Sequence, residues 1–448
     1  MIFRGERVLV DGVVRPAAVH VRAGRIVEVT DPAAVPPGEP VHEVGSLLLG
    51  PGIVDSHVHV NEPGRTEWEG FRTATEAAAA GGITTVVDMP LNCIPATVSR
   101  EAAEAKREIL RDQLHVDVVF WGGAIPGNVG ALEGLARFGV PGAKCFTCPS
   151  GVDEFPHVDE ADLDRALPVL RDLGLTLLVH AEAPGPLAAA EASVQGEDPR
   201  SYATYLRSRP RAAEDEAIAM VIRLARRHRA AVHIVHLSSA SALPLLRAAQ
   251  GEGVRITAET CLHYLTFTAE EIPDGETRFK CAPPIRERAN REALWAGLLE
   301  GVISMVVSDH SPCTPQLKRP ETGHFLDAWG GIASLQLGLS ALWTEAAKRG
   351  VDVGRMMQWN AEGPARLAGL GNRKGRIASG FDADLVVWDD TATFRVDPAE
   401  LRHRHAVTPY AGRELTGRVS ETWVGGSLAW SRATGLARPS GRFVSVSR

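Results

Sequence analysis

From residue 52 to about 308, short apolar runs alternate with longer stretches rich in Ala, Leu, Arg and Glu. The runs cover 52–60, 84–89, 116–121, 142–147, 176–180, 232–237, 256–260 and 303–308, and most are separated by a helical pattern such as 98–114 or 214–229. Continuous apolar runs fit strands buried on both faces of a parallel sheet. Eight strand–helix units over roughly 320 residues predict a (β/α)8 TIM barrel. A doubly wound open sheet is the second choice, and its usual cue, Gly-x-Gly-x-x-Gly after the first strand, is missing. The flanks have another texture. Residues 1–49 hold short alternating segments punctuated by Gly and Pro (Arg7-Val8-Leu9-Val10, Ala18-Val19-His20-Val21). The same texture returns after Gly375 in Leu385-Val386-Val387-Trp388 and Glu421-Thr422-Trp423-Val424. The expected organisation is a small β-sandwich domain built from both termini, 1–50 and 376–448, around a barrel at 51–375.

Composition narrows the partners. The chain has 448 residues, a net charge of −7, 44% hydrophobic and 23% charged residues, which suits a soluble globular protein with a large core. An acidic balance without basic runs gives no reason to expect nucleic acid or an anionic membrane surface as a partner. The cluster 223–229 reads as a solvated helix face. The opening Met1-Ile2-Phe3-Arg4-Gly5-Glu6-Arg7 is charged too early for a signal peptide, and no window approaches the span of about 18 apolar residues that would cross a membrane, so a cytoplasmic location is expected. Six cysteines in so long a chain read as buried free thiols, Cys145-x-x-Cys148 included.

The candidate chemistry lies where barrel strands end, at the carboxyl face. Strand one ends in His57-Val58-His59, and residues two apart on a strand share a face. Strand four carries Lys144, strand five ends in His180, strand six holds His233 and His236, and strand eight ends in Asp309. Each has a bland alternative: a hydrogen-bonded core histidine, a surface lysine, a capping aspartate. Their joint fall on strand ends argues for a shared site. His233 and His236 are an odd number apart, so only one is expected to face inward, and His236 is nearer the strand end. A lysine inside an apolar strand is costly unless neutralised or paired. Burial lowers its pKa and exposes an amine able to add carbon dioxide, which makes N6-carboxylysine, a bidentate anion that can bridge two cations. The expected centre holds two divalent metals: His57, His59 and Asp309 on the first, His180 and His236 on the second, modified Lys144 between them. Zinc is the first choice, with manganese, cobalt or iron as alternatives.

These residues resemble the amidohydrolase superfamily, specifically its cyclic amidases: allantoinases, hydantoinases (dihydropyrimidinases) and dihydroorotases. The resemblance runs over essentially the whole chain and is closest to the allantoinases. It is carried by Asn61-Glu62-Pro63-Gly64-Arg65, Asp88-Met89-Pro90-Leu91-Asn92, Lys144-Cys145-Phe146, Ser150-Gly151-Val152-Asp153-Glu154-Phe155-Pro156, Lys280-Cys281-Ala282-Pro283-Pro284-Ile285-Arg286, Ser308-Asp309-His310-Ser311-Pro312-Cys313 and Ala328-Trp329-Gly330-Gly331-Ile332-Ala333. Hydantoinases place a tyrosine shortly after the bridging lysine, whereas no tyrosine lies between Lys144 and His180. Dihydroorotases place an arginine two residues after His-x-His, where this chain has Asn61. The resemblance implies hydrolysis of the ring amide of allantoin to allantoate in purine breakdown, with Asp309 moving the proton from water to the departing nitrogen. It also implies a homotetramer. Asn92 and the backbone around Ser150, Cys281 and Gly331 are the expected substrate-binding groups. Asn92 read by itself is equally a turn residue beside Pro90 and Pro95, and Arg65 an anchor for its own loop. A hydantoinase acting on related rings is the alternative within enzymes. A non-catalytic scaffold homologue is the alternative outside them, and the filled ligand positions argue against it.

Overall fold

The computed structural model describes residues 1–446. Eight parallel strands close into a barrel: Ile53–Val58, Ile83–Asp88, Asp117–Phe120, Gly142–Phe146, Thr176–His180, Val232–Ile234, Ile256–Cys261 and Met305–Val307. The third strand continues past Trp121 into the short segment Gly122–Gly123, which pairs with the fourth. Ladders join each strand to the next. The eighth strand meets the first where Val58 bridges His310 and the His59 amide donates to the His310 carbonyl at 2.8 Å. Asp55 fastens the same seam, its carboxylate accepting from the Ser308 and His57 amides, and burial pushes its pKa up to about 7. All six residues of the first strand are buried, Asp55, Ser56 and His57 among them.

The outer helices follow from sequence in the ordinary way. Glu160–Asp172 starts at an Asp159–Asp162 capping box and buries Leu163, Ala166, Leu167 and Leu170, one stripe at i, i+3, i+4 and i+7. The helix expected over 98–114 forms only over Arg100–Glu108, beginning where the Ser99 hydroxyl caps the Ala102 amide. On the helix Arg211–His228, Arg223, Arg226 and Arg227 pair with surface carboxylates, as a solvated face should. Among the described residues no helix is long and apolar enough to cross a membrane.

The strands of both termini share one hydrogen-bonded sheet of eight. Val41–Pro51 pairs with Ile2–Val10 on one side and with Leu385–Arg395 on the other. The sheet folds over its own apolar face, where Phe3, Val19, Val44, Leu385 and Trp423 pack together. Its far edge returns to the chain before Leu385, with the Ile26 amide donating to the Phe381 carbonyl. The last segment departs from the expected terminal domain. Residues 441–446 leave the sheet and pair with the start of the third barrel strand, through Val118 N to Arg442 O (2.9 Å) and Val444 N to Val118 O (2.8 Å). Phe443 packs on Phe120 and Phe138 there, an apolar anchor invisible to a boundary drawn from texture. Lys374, fully buried, joins Asp117 of the barrel to Asp384 just before the sheet strand Leu385–Arg395, which pairs both carboxylates with the chain's own cation.

Candidate metal centre and substrate cavity

The carboxyl ends of the strands gather the expected residues. His57 Nε2 lies 3.2 Å from Asp309 Oδ1 and 3.1 Å from Lys144 Nζ, and His59 Nε2 lies 3.5 Å from the same aspartate oxygen. His180 Nδ1 lies 2.9 Å from His236 Nε2. All six side chains are buried. Burial pulls the Lys144 amine down to about 8 and His59 to about 4, and it lowers His57, His180 and His236 as well. Burial works to raise the Asp309 carboxyl, but the hydrogen bond and charge of His59, with Lys144 and His263, bring it below its ordinary value. Neutral imidazoles, an ionised carboxylate and a depressed amine are the protonation states a borderline divalent ion requires of its ligands. The donor set fits: His57, His59 and Asp309 offer three ligand atoms within 4.8 Å of one another, and His180 with His236 offers a second pair.

Strand geometry explains this convergence only in part. Asn61, Asn92, His236 and Asp309 carry positive φ (68°, 70°, 39° and 45°) just past their strands, backbone conformations that non-glycine residues keep only where their surroundings enforce them. That turn corrects the expectation for strand six. The strand ends at Ile234, so alternation no longer governs His236, and both histidines point inward at different depths. His233 Nε2 reaches Glu259 at 3.0 Å, below the site, while His236 meets His180 at its mouth.

Two carboxylates absent from the expected set stand behind the ligands. Glu259, in the middle of the seventh strand, lies 2.5 Å from His57 Nδ1. Glu182, two residues past His180, lies 2.7 Å from His180 Nε2. Each sequence signal was of the same kind as that of Lys144: a charge inside or just after a buried strand.

A cavity of about 350 Å³ opens over the centre. His59, Lys144, His180, His236 and Asp309 form its floor, and Asn92, Ser150, Cys281 and Gly331 all line its wall. The Ser150 hydroxyl is spent on its own loop, donating to the Phe155 carbonyl at 2.6 Å, so Ser150 offers backbone rather than side chain. The Cys281 carbonyl already accepts from the Tyr205 hydroxyl at 2.6 Å. Asn92 serves as a turn residue as well, its carbonyl accepting from Arg65 at 2.8 Å. Arg65 pairs with Glu154 and lies outside the cavity lining, which makes it the loop anchor. Two buried lysines clamp the wall segment 326–331. Lys280 donates to the Leu326 carbonyl at 2.9 Å and to that of Ala328, and Lys318 donates to the Trp329 carbonyl at 3.0 Å and to that of Gly331. The six cysteines are buried and unbridged.

A family model described as the amidohydrolase family matches residues 48–429. The chain belongs to the amidohydrolase family. Within it, the chain is 51% identical to the allantoinase of Streptomyces avermitilis over 446 residues, 99% of this chain and 98% of that one. It is 42% identical to the allantoinase of Saccharomyces cerevisiae, covering 97% and 96% of the two chains. Among solved structures of amidohydrolase fold, the L-hydantoinase (dihydropyrimidinase) of Arthrobacter aurescens superposes with a TM-score of 0.94 at 27% identity, over 99% of both chains. The dihydropyrimidinase of Brevibacillus agri superposes at 0.89 with 25% identity, over 100% of this chain and 99% of that one.

Proposed function

We propose that this protein hydrolyses the ring amide of allantoin to allantoate, a step of purine breakdown. The observation that carries the substrate is the 51% identity to an allantoinase, sustained over 99% of the chain. The site supports the reaction class. His57, His59 and Asp309 would hold one divalent ion, His180 and His236 another, with Lys144 as its carbamate between them. Zinc is the ion we propose, with manganese, cobalt or iron able to occupy the same donors. When bound, the ions supply Lewis-acid polarisation of a carbonyl and activation of water.

The chain's own groups do the rest. Asp309, ionised and at the cavity floor, takes a proton from the nucleophilic water and returns it to the ring nitrogen, which leaves poorly as an anion. The walls around Asn92, Ser150, Cys281 and Gly331 offer backbone donors and acceptors to a flat, polar ring. Arg65, the first arginine after His59, is committed to Glu154 and Asn92 and is not free to grip a substrate carboxylate, and allantoin carries none. The barrel spanning 51–375 supplies the site, and the terminal strands scaffold it. The cytoplasm is the compartment we propose, and a homotetramer is the assembly we propose from the family resemblance. A native mass of four chains in solution is the expected result for the assembly.

The test is product formation by purified, metal-replete, bicarbonate-supplied protein, with allantoin, hydantoin, dihydrouracil and dihydroorotate in parallel. Turnover of allantoin that a chelator or Lys144→Ala abolishes is the expected result. Turnover confined to hydantoin or dihydrouracil would move the protein to the second reading, which the Arthrobacter aurescens superposition favours.

A further inference from the structure

His57 and His180 are each backed by a buried glutamate, but the two glutamates are themselves held differently. Glu259 is shared between imidazoles, His57 at 2.5 Å and His233 at 3.0 Å. Glu182 is shared between His180 and a guanidinium. Its Oε2 lies 2.7 Å from His180 Nε2, while Arg209 donates from Nε to Oε1 at 3.1 Å and from Nη2 to Oε2. Burial alone would raise the Glu182 carboxyl; Arg209 and His180 outweigh it and hold it at about 2. Both ends of the pair are anchored. Thr147 Oγ1 exchanges hydrogen bonds with the Glu182 backbone (2.9 and 3.1 Å), and the Arg209 carbonyl accepts from Arg286 Nη2 at 3.2 Å. Glu182 is wholly buried, yet Arg209 lines the substrate cavity beside Tyr205 and Ser208.

We propose that Arg209 is a substrate-binding residue and that Glu182 is the positioning residue for both Arg209 and His180. A carboxylate only accepts, so its contact puts the proton of His180 on Nε2 and turns the Nδ1 lone pair towards His236. The same carboxylate takes Nε and Nη2 of Arg209 and leaves Nη1 as the nitrogen for the cavity. An N–H donor held there complements the oxygen of a urea-type carbonyl, a group allantoin carries in its ring and again in its arm. One buried carboxylate thus registers the substrate against the second pair of ligands. This rests on the proposed function for the identity of the substrate but not for the positioning of His180.

The experiment separates the two. Glu182→Gln and Glu182→Asp are compared with wild type for metal content and for the rate at which a chelator strips the ions, with no substrate present. Glu182→Gln is expected to weaken retention of one ion of the two by about 10–100-fold, the usual cost of losing a partner behind a ligand, with Glu182→Asp falling between. Wild-type retention in both variants would overturn the positioning role. Arg209→Lys keeps the charge and loses the fork. It is expected to raise KM for allantoin about 10-fold or more, with metal content unchanged and kcat moving less, as loss of a charge-assisted hydrogen bond to substrate predicts. An unchanged KM in Arg209→Lys would overturn the substrate role. If wild type turns over hydantoin alone, the allantoin reading fails while the metal-release result still reports on Glu182.

Discussion

Glu259 Oε1 sits 2.5 Å from His57 Nδ1, with both side chains fully buried and the two residues 202 positions apart in the chain. The contact leaves His57 Nε2 as the nitrogen that faces Lys144 and Asp309. Orienting partners of this sort fix the tautomer and ring plane of a metal-ligating imidazole. Glu259→Ala would remove that partner and also strand His233. Metal retention is expected to fall about 10–100-fold, and folding stability by about 1–3 kcal/mol for the unsatisfied buried ring nitrogens. Metal analysis after dialysis and a denaturant melt measure the two separately. Wild-type retention would remove Glu259 from the account of the site.

Asp309→Asn tests charge without disturbing backbone. The position has φ of 45°, and asparagine tolerates the left-handed region about as well as aspartate. The amide cannot accept and return the proton, so kcat is expected to drop about 100-fold or more, with some metal still bound through His57 and His59. Turnover near that of wild type would sink the assignment of Asp309 as proton carrier.

Lys280 gives a pH dependence of defined sign. Burial lowers its amine to about 7, with Lys318 and Arg209 adding repulsion. Between that value and the 10.5 of an unfolded lysine, unfolding takes up a proton, so the folded state gains stability as pH rises. The contribution is complete above the unfolded value and is lost as pH falls through the folded one. Raising pH from about 7 to 9.5 should therefore widen the unfolding free-energy difference between wild type and Lys280→Met, read from denaturant melts, in favour of wild type by at most about 1.4 kcal/mol per pH unit. A difference independent of pH would show that Lys280 does not titrate in that window.

Gly331 cannot carry a side chain where it stands. Its φ is 142°, and a Cβ would fall 2.3 Å from the Ser311 carbonyl oxygen. Gly331→Ala should displace the cavity wall that Lys318 clamps, raise KM for substrate and cost about 1–3 kcal/mol of stability. Unchanged KM would mean that this wall does not touch the substrate.

Much of the architecture was legible along the chain, because each of its signals is local. Eight apolar runs mark eight strands buried on both faces, and a spacing of two puts His57 and His59 side by side whatever surrounds them. Lys144 announced itself as a charge within a buried strand. Alternation carried that reading only as far as regular strand lasted: at strand six it chose between His233 and His236, while the chain turns at positive φ and points both inward. The tail at 441–446 escaped for a related reason, since pairing with residues more than 300 positions earlier leaves no periodic trace.

What only the tertiary structure decided is partnership. Composition and spacing placed imidazoles at strand ends, but which nitrogen of each ring is free depends on Glu259 and Glu182, set there by other strands or by the turn after His180. That Arg209 reaches the cavity while Arg65 is tied down, and that Lys280 and Lys318 hold a wall of the cavity through carbonyls alone, follows from how loops distant in sequence pack over one barrel mouth. Periodicity fixes which way a side chain faces within its own element. Hydrogen bonds between elements fix what it meets, and in this site they set the tautomers while burial sets the protonation states on which the chemistry depends.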